Sequence, residues 1–99
     1  MDPDLSDLTI ADVVISLAGR DAGQLFYVIG TEGPYLWLVN GKDKTIEKPK
    51  KKKRKHARKV LRSETRVAEK LRAGDKVLNS ELRRDLAAIG QEMQVTSGG

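Results

Sequence analysis

The side chains best placed to do chemistry stand together in one run, Lys48 to Lys59. Nine of its twelve residues are Lys or Arg and none is acidic. Lys50 to Lys55 sets six fixed positive charges within about 20 Å even when fully extended. Charges that close repel one another, and a dense anion relieves the repulsion. Three readings fit the run: a footprint on nucleic-acid phosphates, a nuclear import signal centred on Pro49–Lys55, and a solvated segment serving solubility. Six adjacent cations exceed what solubility requires. Catalytic residue types show no comparable concentration. His56 has no acidic sequence neighbour, no nucleophile elbow surrounds a Ser, and no Gly-Lys-Ser/Thr closes a phosphate loop. The absence of Cys excludes disulfides and thiolate metal sites, and a single His makes zinc improbable. The expectation is a non-enzyme with no cofactor and no small-molecule substrate.

The net charge of +5 hides a division along the chain. Residues 1–47 carry three basic and eight acidic side chains, residues 48–62 ten basic and no acidic, and residues 63–99 six of each. An acidic front, a basic middle and a neutral end point to an anionic partner for the middle. Apolar runs such as Val13–Ile15 and Leu36–Val39 are far too short to span a bilayer. The first residues are acidic and lack the order of a signal peptide. The chain therefore reads as one small soluble intracellular domain.

Presenting the run requires elements around it. Residues 1–9 read as a loose lead. Asp12–Ala18 is rich in β-branched residues and stops at Gly19-Arg20-Asp21-Ala22-Gly23, a turn with Gly at each end. Leu25–Ile29 forms a second strand and Tyr35–Val39 a third, ended by Asn40-Gly41, a strong hairpin signal. Three strands so closely spaced suggest a meander or barrel, which closure by further strands must complete. The candidates are Thr45–Glu47 and Arg54–Leu61, so the basic run would lie on or lead into the closing strand. Beyond Arg62 the apolar period lengthens. Val67 and Leu71 mark one helix, with Ser63 or Thr65 as cap and Gly74 past its end. Leu82, Leu86 and Ile89 mark another, from Asn79-Ser80 to Gly90. Each is about three turns long and needs a packing partner. Residues 91–99 read as a disordered tail.

The stretch Asp12–Ile29, with its Ala18-Gly19-Arg20-Asp21-Ala22-Gly23 turn between two strands, resembles the KOW motif of ribosomal and transcription-factor proteins. Leu38-Val39-Asn40-Gly41 and the cluster Lys50–Lys55 extend the likeness to KOW-type large-subunit ribosomal proteins of archaea and eukaryotes and to bacterial KOW-domain RNA-binding proteins. The resemblance covers about residues 10–62. It implies a mainly β fold, a small five-stranded SH3-like barrel followed by two short helices. It also implies contact with structured RNA, often ribosomal, in a cytoplasmic, ribosome-associated setting. Two residues depart from the motif: Ala11 stands where Gly is usual, and Ala22 where many such turns carry Lys.

The expected RNA contacts are Lys50, Lys51, Lys52, Lys53, Arg54, Lys55, Arg58 and Lys59, flanked by Arg20 and Lys42. Arg20 could bond a phosphate or pair locally with Asp21 or Asp43. Gly19, Asp21, Gly23, Asn40 and Gly41 are structural turn residues. Among the aromatics, Tyr27 and Tyr35, ahead of Trp37, are the candidates for stacking on an unpaired base. The rival reading is a protein-interaction module that docks on ribosomal or transcription machinery, its cations facing an acidic partner.

Overall fold

The computed structural model describes residues 8–98, with side chains as far as Met93. Five strands form the front: β1 (Asp12–Ser16), β2 (Leu25–Glu32), β3 (Tyr35–Val39), β4 (Lys50–Lys53) and β5 (Ala57–Arg62). One 3-10 turn, Arg54–His56, joins β4 to β5. Two helices follow, α1 (Arg66–Ala73) and α2 (Asn79–Gly98). The sheet is antiparallel in the order β4-β3-β2-β1-β5. Bulges at Val13/Val14 and between Val28 and Gly30 shift its register and increase its curl. Among the described residues the sheet is not closed, since β4 and β5 form its two edges.

The sheet buries both faces. One cluster, Leu8, Val14, Phe26, Val28, Leu36, Leu38 and Ala57, fills the inside of the curl. The other lies beneath the helices, where Val13, Tyr27 and Val39 meet Val67, Ala68, Val77, Leu82, Leu86 and Ile89. This second layer accounts for the apolar residues on both faces of β1.

Local signals set the helix ends. The Thr65 hydroxyl accepts a hydrogen bond from the Ala68 amide, and Gly74, at φ 76°, closes α1 in the left-handed conformation. Ahead of α2, the Glu81 carboxylate accepts the Leu78 amide at 3.0 Å, as in a capping box. Helix α2 passes the expected stop at Gly90 and continues to Gly98, so the tail predicted for 91–99 is largely helical. Gly90 is an interior residue whose missing side chain faces Leu25. Of the expected N-terminal lead, residues 1–7 lie outside the described residues.

Two strand expectations are corrected. Thr45–Glu47 is not a strand, and the basic run itself supplies β4. Asn40-Gly41 does not make a two-residue hairpin, because the connection to β4 runs from Asn40 to Pro49. The Asn40 side chain accepts the Lys42 and Lys44 amides, each at 3.0 Å, and so organises a longer loop. Gly41, at φ 76°, passes against α2. A Cβ there would stand 2.3 Å from the Asn79 carbonyl oxygen and 2.9 Å from Leu82. Arg83 donates to the Gly41 carbonyl, while Asn79 accepts the Ile46 amide and donates to Glu47. The loop is therefore the seat of the second helix.

Candidate nucleic-acid interface

Strand alternation divides the cations of β4 into two sets. Lys52 points into the curl and is buried, with its ammonium 2.9 Å from Asp21 and 2.8 Å from the Ala18 carbonyl oxygen. Lys50 reaches the other Asp21 oxygen at 2.6 Å. Ser16 also donates to Asp21, at 2.7 Å. Burial alone would raise the Asp21 pKa, but the hydrogen bonds from Lys50, Lys52 and Ser16 outweigh it and hold the carboxyl well below the usual carboxylate range. Asp21, expected as a structural turn residue, fastens the β1–β2 turn to the fourth strand. Lys52 is thus not a surface contact, and Lys50 is largely committed inside the fold. In β5, Lys59 faces buried Asp12 at 3.5 Å and is likewise partly neutralised.

The opposite set faces outward. Lys51, Lys53, Lys55 and Arg58 are exposed. Lys53, Lys55 and Arg58 make no ion pair or side-chain hydrogen bond among the described residues. Arg54 is half-buried and donates to the Gly33 carbonyl at 2.9 Å. Arg20 is exposed on the turn that Asp21 holds against β4, and it pairs with neither Asp21 nor Asp43. Lys42 is exposed on the Asn40 loop, beside Arg83 rather than beside β4.

Aromatic side chains share the outer face. Tyr35 and Trp37 lie on the side of β3 that the helices cover at Val39 but leave open beyond it. Lys53 stands opposite Tyr35 in the register and Lys51 opposite Trp37. The Lys51 ammonium lies 4.6 Å from the Tyr35 ring centroid and 5.6 Å from that of Trp37. Glu32 holds it there at 3.2 Å and accepts the Trp37 indole N–H at 3.4 Å. The hydrogen bond from Lys51, with a smaller one from Trp37, lowers the Glu32 pKa. A cleft of about 470 Å³ opens beside this platform between Pro34, Tyr35, Lys53, Arg54 and Lys55.

Tyr27 cannot stack on a base, because it is fully buried. Alternation does turn it away from Phe26, but toward the face that the helices cover. Its hydroxyl donates to the carboxylate of Asp85 in α2, and its oxygen lies 2.8 Å from the Ser63 hydroxyl, within hydrogen-bond distance. Burial, and then the carboxylate of Asp85, push its pKa up to about 12. Gly19 and Gly23, at φ 85° and 89°, fit the turn role expected of them. Ala11 adopts φ 73°, the only non-Gly residue among those described to do so. Sequence reasoning missed Glu32 as a member of the site and ranked Trp37 behind Tyr27 and Tyr35. The available signal was the short Gly33-Pro34 connection between β2 and β3, which sets Glu32 opposite Tyr35 and close to Trp37.

No protein-family profile and no curated protein sequence matches the chain. Among the described residues, no helix is long and apolar enough to cross a membrane.

Proposed function

We propose that this chain is a noncatalytic RNA-binding protein that docks on structured RNA, with ribosomal RNA in the cytoplasm as the setting its KOW resemblance suggests. The observation that carries this reading is the sorting of the cations. Inner lysines are matched to Asp21 and Asp12, whereas Lys53 in β4, Lys55 in the 3-10 turn and Arg58 in β5 stay exposed and without an ion pair among the described residues. A folded surface that neutralises some of its charges and leaves their neighbours free is suited to an external polyanion. The order β4-β3-β2-β1-β5, with a 3-10 turn before the last strand, supports an SH3-like barrel of the KOW type.

Filter binding to ribosomal and unrelated structured RNAs tests the proposal. The combined variant Lys53→Gln, Lys55→Gln and Arg58→Gln should weaken binding to all of them while the melting temperature stays near that of the parent, since phosphate contacts carry little sequence information. Unchanged affinity would overturn it. Capture of a partner that survives nuclease treatment would favour docking on a protein instead.

A further inference from the structure

We infer that the outer face of β3 and β4 captures one unpaired nucleotide of RNA, its base stacked on Tyr35 in the place Lys51 now holds and its phosphate on Lys51, Lys53 and Lys55. The inference rests on the RNA-binding reading and names the kind of RNA position that this face selects. Paired RNA offers phosphates but no open base face, and polybasic contact alone does not distinguish the two. Here the cations are interleaved with half-buried rings whose outer faces the helices leave open, on a rigid support. The Arg54 amide donates to the Pro34 carbonyl at 2.8 Å and its guanidinium to the Gly33 carbonyl, so the β2–β3 turn and the 3-10 turn hold the two sides of the cleft. Pro34 and Tyr35 give the cleft an apolar wall, and Lys53, Arg54 and Lys55 surround it.

Lys51 acts as a placeholder. It lies over the Tyr35 and Trp37 rings and its one ion pair among the described residues is with Glu32, both members of that pair being exposed. Contacts of this kind are weak and readily exchanged. An arriving base takes the ring face, and the displaced ammonium turns from a carboxylate to the nucleotide's own phosphate. Glu32 opposes that approach by its charge, so Glu32→Gln should tighten binding of unpaired RNA by a few-fold.

The test compares an RNA hairpin carrying a long unpaired loop with its blunt-ended stem, using the full chain. The intact protein should favour the hairpin, and loop binding should quench the fluorescence of Trp37, the only tryptophan in the chain. Tyr35→Ala should weaken hairpin binding by about tenfold, a typical loss for one stacked base, and leave stem binding and its salt dependence in place. Tyr35→Phe should keep the preference. Equal hairpin-to-stem ratios in the parent and Tyr35→Ala, with stem binding intact, would overturn this inference alone. Salt-insensitive or absent binding of both RNAs would overturn the RNA-binding reading as well. Should Tyr35→Ala fail to fold, the parent still decides: hairpin binding without Trp37 quenching overturns the stacked base.

Discussion

Asp21 shows how much one side chain governs here. It is buried, it receives two lysines and a serine, and it ties a turn to a strand distant in sequence. Asp21→Asn leaves Lys52 buried without a counter-charge, and breaking such a pair typically costs about 3–5 kcal/mol, measurable by urea denaturation. The pH dependence has a fixed sign. The folded-state pKa lies below the ordinary aspartate value of 3.8, so this stabilisation is present above about pH 4 and is lost as pH falls toward the folded value. Acid titration of stability should therefore be flatter in Asp21→Asn than in the parent below pH 4. Tyr27 behaves in the opposite direction. Its pKa rises from 10.0 to about 12 on folding, so its contribution is complete below pH 10 and is lost as pH climbs from 10 to 12. Tyr27→Phe should remove that alkaline slope from the denaturation curve while lowering stability at neutral pH by about 1 kcal/mol, for the lost hydrogen bonds.

At the level of elements, the second helix and the Asn40 loop stand or fall together. Gly41 holds a left-handed backbone and touches Asn79 and Leu82, so Gly41→Ala meets both backbone strain and a main-chain collision. A loss of roughly 3 kcal/mol is expected, with faster hydrogen exchange in α2 than in β1 as the accompanying sign. What could be read from the sequence follows the range of each signal. Thr65 and Gly74 act within one turn of α1, and the Gly19–Gly23 turn acts within its own hairpin, so these were legible. The continuation of α2 beyond Gly90 was not, because a Gly that resembles a stop sits in the helix interior facing Leu25. Nor was the burial of Tyr27, since alternation gives the face a residue occupies and not what covers that face. Asn40-Gly41 misled for a related reason: its left-handed glycine serves contact with a helix, not a two-residue hairpin.

Over the whole molecule, the acidic front and basic middle are not separate regions but interleaved partners. Asp12, Asp21 and Glu32 reach Lys59, Lys50 with Lys52, and Lys51 in turn. The charge left for an external ligand is smaller than the composition of the basic run suggests. With Lys51, Lys53, Lys55 and Arg58 on phosphates, the log–log dependence of RNA affinity on salt should have a slope of roughly −3 to −4. A measured slope near −1 would rule out the sorted-cation surface as the contact. The pairing of β4 carries one more consequence. Strands are normally aligned by the contrast between successive side chains, and a slip of one residue is detected because it exchanges the two faces. Lys50–Lys53 has no such contrast: displaced by one, it still offers lysine to nearly every position. The strand is degenerate with respect to its own alignment. Its address is written elsewhere, in Asp21 at one side and in the Arg54 bonds to Gly33 and Pro34 at its end. The most conspicuous segment of the sequence is thus the one that holds the least information about where it belongs.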